Sequence, residues 1–476
     1  MPTLLSDLQT LLGAEHVLTG AADLAPHLTD NRGRWHGRAL CAVLPSTTEE
    51  VSAVMRVAAR HNALVFVQGG NTGNAAAATP VVSEEDALRS IVLLTGRMRC
   101  IEKVDPVNDT IVVQAGVPVA AVREAAAQSN RLFALSLASD GTAAVGGVLA
   151  TNAGGVHVLR YGSARDLCLG LEVVLADGRV LNLMRGLRKD NTGYALKDIL
   201  IGSEGTLGII TRAVLKLHPL PVSRTVLWLS LASIKNIEPV FQSLQQCAGD
   251  VLSAFEIIHK TPLNRVAHVF PERIKGIDTE PEWSALVELA FSSAAEADRY
   301  GREIEAVLEE LLERSLLENA VVSQSEAQCE ALWAVRESVP EAHKKTGGNV
   351  KHDISVPRNV LTDFVAETNA ALKTRFPWIE PSVFGHFGDG NLHYNMGVEP
   401  GFDPRLCFAF EKEINGIVFE AVMRANGSVA AEHGVGRLKR RLLEETKPAV
   451  DLELMRRIKR VFDPDNRLNP GAVVVT

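Results

Sequence analysis

The residues best placed by type and spacing to do chemistry are two histidines and, further on, an acid and histidine side by side. His386-Phe-Gly-Asp-Gly-Asn-Leu-His393 has Asp389-Gly390 at its centre, a dipeptide that favours a two-residue type I′ turn. Folded there, 388 pairs with 391, 387 with 392 and 386 with 393. The two imidazoles then stand opposite each other on one face, Cβ atoms about 4.5–5.5 Å apart, while Phe387 and Leu392 share the apolar face. Imidazoles so placed can share a zinc, iron, nickel or manganese-like ion; a plain polar hairpin face is the alternative. Glu432-His433 lies among small residues in Val429-Ala-Ala-Glu-His-Gly-Val-Gly436, a bare loop that admits both side chains to a site. The isolated His16, His259 and His268 read as surface or core residues.

A second chemistry is written in glycine. Gln68-Gly-Gly-Asn-Thr-Gly73, the stretch from Ser139 to Gly162 and Gly202-Ser-Glu-Gly-Thr-Leu-Gly208 adjoin apolar runs. Successive unhindered N–H groups make a concavity for anions, so three bare loops predict one site for a pyrophosphate-bearing cofactor. Tight turns in a small-residue core are the alternative. None of the loops reads G-x-G-x-x-G or G-x-x-x-x-G-K-[ST], which excludes the Rossmann and Walker modes.

The elements that position these groups follow from pattern. Ser46-Thr-Thr-Glu49 has the form of a capping box before a helix with Val51, Val54, Met55, Val57 and Ala58 on one face. Leu64 to Val67 is a strand delivering the first glycine loop. Ile91 to Asn130 reads strand, strand, helix, and a strand resumes at Leu132. Leu171 to Leu183 is a hairpin turning at Asp177-Gly178. After Pro219-Leu-Pro221 the strand runs Thr225 to Leu231, Val251 to Ile258 and Ala285 to Phe291 alternate with helices such as Ala294 to Glu313. The expected domains are 1–221, 222–425 and a mostly helical 426–476.

The whole chain bounds the partners. At 476 residues it exceeds a typical single core. A net charge of -8 without a basic run gives nucleic acid no footprint. No apolar stretch has transmembrane length, and the N-terminus lacks a secretory pattern, so a cytoplasmic protein is expected. The six cysteines form no C-x-x-C pair, which disfavours a thiolate zinc site or Fe–S cluster; any electrons must leave to a partner.

The phrases QGGNTG (68–73), NAGGVHVLRYG (152–162), LGLEVVLADG (169–178) and IGSEGTLGIIT (201–211) resemble the flavin-binding half of the vanillyl-alcohol-oxidase or PCMH-type flavoproteins. KHDISVP (351–357), GHFGDGNLHYN (385–395), AEHGVGRLK (431–439) and DPDNRLNPG (463–471) carry the resemblance into the substrate half of the branch containing D-2-hydroxyglutarate and D-lactate dehydrogenases. It implies an α+β protein: a two-subdomain PCMH-type FAD-binding domain, an α+β cap with an antiparallel sheet, and a helical C-terminal segment folding back towards the flavin domain.

The resemblance also implies residue roles. FAD would be held by Gln68, Gly69, Gly70, Asn71, Thr72, Gly73, Asn74, Ser139, Gly141, Thr142, Gly146 and Gly147, by Thr151, Asn152, Gly154, Gly155, Tyr161 and Gly162, and by Glu204, Gly205, Gly208, Ile209 and Asn469. Attachment is expected to be non-covalent, since His157 is the one histidine or cysteine within the loops. His386, His393 and Glu432 would bind a divalent metal, zinc first, with His433 as catalytic base and substrate contact. Arg336, Lys351 and Asn395 would bind substrate. The chain departs from the family in two places. Asn74-Ala-Ala-Ala-Ala-Thr-Pro80 replaces a glycine- and serine-bearing continuation, and Pro340 stands where the glutarate-specific relatives place a hydroxyl residue.

The expected activity is oxidation of a D-2-hydroxy acid, D-2-hydroxyglutarate first, with D-lactate, D-malate or glycolate left open by Pro340. Electrons would pass to an electron-transferring flavoprotein or a quinone or cytochrome system, and a homodimer is expected. A non-redox flavin-dependent transferase and a flavin-binding assembly subunit are the rivals. The hairpin histidines argue against the transferase.

Overall fold

Helix Thr48–Arg60 buries Val51, Val54, Met55, Val57 and Ala58 on one stripe, as its sequence period requires. Its cap lies one residue beyond the expected one. Thr47 is the N-cap, its hydroxyl accepting the Glu50 N–H at 3.2 Å, and the Glu50 carboxylate reaches back to the Ser46 N–H at 2.6 Å. Thr48, the first helical residue, donates to buried Glu172 at 2.6 Å.

The computed structural model describes residues 3–475 and resolves into two units. The first comprises residues 3–155, 162–220 and 432–475; the second comprises Val156–Tyr161 and Pro221–Ala431. The first unit holds a four-stranded sheet in the order Val17–Leu18, Cys41–Val43, Ser90–Leu94, Leu64–Gln68, its last three strands parallel. Val65, Ile91 and Leu93 pack beneath helices Leu4–Leu12 and Thr48–Arg60. A five-stranded antiparallel sheet follows the order Ile101–Asp105, Thr110–Gln114, Ile209–Lys216, Cys168–Val174, Val180–Leu183. The expected hairpin is present, with Leu171 opposite Leu183 and Gly178 at φ +85° in its turn.

Two local expectations are corrected. Between 90 and 130 there are three strands before helix Val119–Ala127, and the strand at Leu132 is only Arg131–Leu132. The latter pairs with His218–Pro219 alone. Helices Arg440–Thr446 and Ala449–Phe462 lead to residues that cover the edge of Leu64–Gln68. The Val65 N–H donates to the Arg467 carbonyl at 2.9 Å, and the Asn469 N–H to the Val65 carbonyl at 2.8 Å. Lys459, buried, bonds the carbonyls of Thr206 and Leu468 and pairs with Asp463, so its charge is neutralised where it is dry.

The second unit is organised by a seven-stranded antiparallel sheet. Its order is Asn319–Val322, Ser223–Leu231, Trp283–Phe291, Leu252–His259, Ile379–His386, Asn391–Val398, Asp353–Ser355. Helix Ala294–Glu313 has the bounds its pattern predicts and starts at Ser293, whose side chain accepts the Glu296 N–H. Helix Glu326–Lys345 packs Val335, Val339 and Ala342 with Trp228, Ala254 and Phe384 of the sheet. No described helix is long and apolar enough to cross a membrane.

Candidate functional site

The three glycine loops of the first unit converge. Gly70 presses on Thr142, the Glu204 N–H donates to the Ala150 carbonyl at 2.8 Å, and the Gly202 N–H donates to the Leu149 carbonyl at 3.0 Å. The glycines serve two different ends. A Cβ at Gly70 would stand 1.8 Å from the Thr142 carbonyl oxygen, at Gly155 2.2 Å from that of Ser136, at Gly208 2.4 Å from Val173 and at Gly146 2.8 Å from the Ala115 Cβ. For these, the pressing neighbour is the protein's own chain, which is the tight-turn, small-residue alternative read from the sequence.

Gly73, Gly141 and Gly147 are different: a Cβ there would meet nothing within 4 Å. The six successive N–H groups from Gly69 to Asn74 have no protein acceptor among the described residues. An open, donor-rich surface of this kind fits a pyrophosphate.

Several polar side chains expected at the cofactor are engaged in holding the loops. The Gln68 amide oxygen accepts from His27 at 2.6 Å, Asn71 bonds the carbonyls of Pro26 and Thr29, and Asn74 accepts from Asn31. Thr142 and Thr151 bond the carbonyls of Ser139 and Gly147, and Asn152 accepts from Ser163 and Arg165. Ile209 is a core residue, and Tyr161 packs in the second unit. His157, also in that unit, bonds Glu288 at 3.0 Å.

Glu204 ties this cradle to the chain that follows Glu432-His433. It is buried, stands at φ +51° and accepts the N–H groups of Val435 at 2.7 Å and Gly436 at 2.8 Å, while its carbonyl takes the Asn469 side chain. Burial raises its carboxyl to about 7, against the lowering by those two hydrogen bonds. The alanine run serves the same junction: the Ala75 carbonyl accepts the Arg437 N–H at 2.9 Å.

In the second unit the histidine hairpin forms with a different register. Phe384 faces His393, Gly385 faces Leu392 and His386 faces Asn391. Instead of the expected two-residue turn there is a 3₁₀ turn, Phe387–Asp389, closed by Gly390 at φ +79°. The cause is Phe387. It leaves the ladder for a buried cluster with Phe241 and Phe255, ring centroids 5.5 and 5.7 Å away. Since the displacement is two residues, the histidines keep the same face. They are diagonal neighbours, ring centroids 5.6 Å apart.

That face carries a polar row across the sheet. Glu256, His386, Asn391 and Ser355 lie in register, with Phe384, His393 and Asp353 beside them and Ser382 opposite Asn395 next. Glu256, fully buried, escaped sequence analysis; its signal is the single charge inside Val251 to Ile258. Its carboxylate accepts from His386 Nδ1 and, at 2.7 Å, from Arg336 Nε. Burial pushes the carboxyl up, but the charges of His386 and Arg336 and their hydrogen bonds hold it at about 2.

The Arg336 guanidinium lies 4.8 Å from the Phe384 ring centroid. Its terminal nitrogens have no protein hydrogen bond among the described residues. Asn395 is buried and Lys351 exposed. Pro340, also exposed, sits inside helix Glu326–Lys345 one turn beyond Arg336 and removes the N–H that would bond the Arg336 carbonyl.

Glu432 follows Ala431, the last residue of the second unit. His386, His393 and Glu432 each offer one ligand atom, all within 4.8 Å of one another. With the imidazoles in their neutral form, two nitrogens and a carboxylate oxygen would suit zinc and its first-row neighbours. His433, next in sequence, is half-buried.

Known proteins match over the whole chain. A model of an FAD binding domain covers residues 39–184, and one of the C-terminal domain of FAD linked oxidases covers residues 221–473. Mitochondrial D-2-hydroxyglutarate dehydrogenase of Bos taurus is 36% identical over 97% of this chain and 81% of its own length. D-2-hydroxyglutarate dehydrogenase of Xanthomonas citri pv. viticola is 35% identical over 100% of this chain and 97% of its own. A putative mitochondrial D-lactate dehydrogenase of Schizosaccharomyces pombe is 35% identical over 95% and 85%. Among solved structures, p-cresol methylhydroxylase with substrate bound has a TM-score of 0.77 at 16% identity, over 99% of this chain and 96% of that one. Alkyldihydroxyacetonephosphate synthase has a TM-score of 0.73 at 16% identity, over 99% and 84%. These likenesses confirm the α+β, PCMH-type fold.

Proposed function

The chain belongs to the FAD-linked oxidases, and on that premise we propose that it oxidises a D-2-hydroxy acid, D-2-hydroxyglutarate first, to the 2-keto acid. The observation that carries this reading is the group His386, His393 and Glu432 beside His433, in a chain with an FAD-binding domain.

The reaction removes the hydroxyl proton and a hydride from C2. Bound FAD would supply the two-electron acceptor, and His386, His393 and Glu432 would hold a divalent ion, zinc first, that would supply a Lewis acid. His433 takes the hydroxyl proton at a ring nitrogen, which requires the neutral imidazole. Arg336, with Nε engaged by Glu256, presents its two terminal nitrogens as a fork for a carboxylate. Lys351 offers a point charge to a second carboxylate, and Asn395 hydrogen bonds to the bound acid. The open N–H run Gly69 to Asn74 would hold the FAD pyrophosphate, and an electron-transferring flavoprotein or a quinone or cytochrome system would be the external acceptor.

The likeness to the putative D-lactate dehydrogenase of Schizosaccharomyces pombe and the exposed proline at 340 give D-lactate and other short acids a place in the same test. D- and L-2-hydroxy acids are titrated into the anaerobic protein while flavin absorbance is followed. D-isomers should bleach the flavin, D-2-hydroxyglutarate at the lowest concentration, and metal-free protein should retain FAD without bleaching. No bleaching by any 2-hydroxy acid would overturn the reading; bleaching in metal-free protein would remove the metal from it.

A further inference from the structure

The sheet face that presents the two histidines also carries a carboxylate no ligand role uses. Glu256 lies on a strand with neighbours on both sides, opposite His386 in the ladder, and is wholly shielded from solvent. Each of its oxygens has one strong partner: Oε1 takes His386 Nδ1, and Oε2 takes Arg336 Nε at 2.7 Å.

We propose that Glu256 is the positioning residue of the divalent-ion centre: by holding the Nδ1 proton of His386 it fixes the ring and leaves Nε2 as the nitrogen that carries the lone pair. The inference rests on the proposed metal site. A carboxylate behind a ligating imidazole sets the tautomer, restricts rotation and raises basicity at the other nitrogen. Arg336 completes the arrangement by balancing the buried charge. One acid thereby joins the proposed metal ligand to the proposed substrate arginine.

A salt bridge serving Arg336 alone would look similar, and the test separates the two. Zinc affinity of the FAD-loaded full chain is measured by competition with a chromophoric chelator, and metal content by mass spectrometry. Glu256→Gln should weaken zinc binding by about 10–100-fold and keep its FAD. Glu288→Gln, which removes another buried carboxylate bonded to a histidine and an arginine, should leave zinc affinity unchanged.

Glu256→Gln leaves Arg336 without a counter-charge. A double variant, Glu256→Gln with Arg336→Gln, therefore removes both charges and should show the same weakening. Zinc affinity equal to wild type in the double variant would overturn the inference and assign Glu256 to Arg336 alone. Wild-type protein that takes up no stoichiometric zinc would overturn the metal centre itself, a distinct result.

Discussion

Gly146 and Gly147 are neighbours in the short helix Val145–Ala150, yet alanine at each should perturb the protein in a different way. Both variants gain the helix preference of alanine over glycine, about 1 kcal/mol, so that gain cancels between them. At 146 the new methyl would stand 2.8 Å from the Ala115 Cβ and 3.2 Å from its carbonyl oxygen, the same oxygen that accepts the Gly146 N–H at 2.8 Å. The backbone contact leaves little room to yield, and overpacking of this kind costs about 1–3 kcal/mol. At 147 the methyl meets no described atom within 4 Å beyond its chain neighbours and its own helix backbone.

Apo Gly147→Ala should therefore be more stable than apo Gly146→Ala by about 1–3 kcal/mol, read from urea unfolding. FAD binding should rank them the other way. With FAD placed as proposed, the 147 methyl would enter its space, and a steric penalty of the same size would weaken FAD by about 5–150-fold; folded Gly146→Ala should bind it nearly as wild type does. Equal apo stabilities, or wild-type FAD affinity in Gly147→Ala, would refute the division of the glycines into those the chain needs and those the cofactor needs.

Three further outcomes follow from the described geometry. Glu204, raised from 4.5 to about 7, binds a proton in the folded state that the unfolded chain has lost. Its contribution to stability is full below pH 4.5 and falls as pH rises to about 7, by up to about 1.4 kcal/mol per pH unit; in Glu204→Gln this part of the apo stability profile should be flat, and an unchanged slope would contradict the assignment. Arg336→Ala strands Glu256 as a buried charge beside His386 and should destabilise the second unit by about 3–5 kcal/mol in chemical denaturation, besides hurting a diacid more than D-lactate. A fully stable variant would mean that the pair carries little. His433→Ala should keep FAD and zinc but slow the anaerobic flavin reduction by about 10²–10⁴-fold; bleaching at the wild-type rate would assign the proton to another group.

Much of this was legible where local pattern and tertiary demand agree. Helix 294–313 has an N-cap serine and an apolar stripe, and its bounds follow from those features. The hairpin from 171 to 183 needs only its turn and two apolar runs. Asp389-Gly390 misleads because the local turn preference loses to Phe387, whose burial against Phe241 and Phe255 depends on residues more than a hundred positions away. Parity saved the conclusion, since an even displacement preserves faces.

Glycine counts likewise do not distinguish a loop that receives a ligand from one that receives Thr142 or Ser136. Glu256 was missed because a strand so apolar reads as core. The lone acid in such a run is itself the signal, and Glu288, inside Trp283–Phe291, repeats it with His157, Arg224, Ser253 and Trp333 around it.

The discontinuity of the first unit sets an order on its birth. A nascent chain that has reached residue 431 possesses the four- and five-stranded sheets and all three glycine loops, yet Val65 still lacks the carbonyl of Arg467, Thr206 lacks Lys459, and the buried Glu204 has no N–H groups to receive. The intervening residues 221–431 have their own core and emerge first. Maturation should thus run out of numerical order: the middle of the polypeptide closes before its beginning does, and the edge of the Leu64–Gln68 strand is exposed to chaperones or to unwanted strand pairing for as long as translation of the intervening stretch takes.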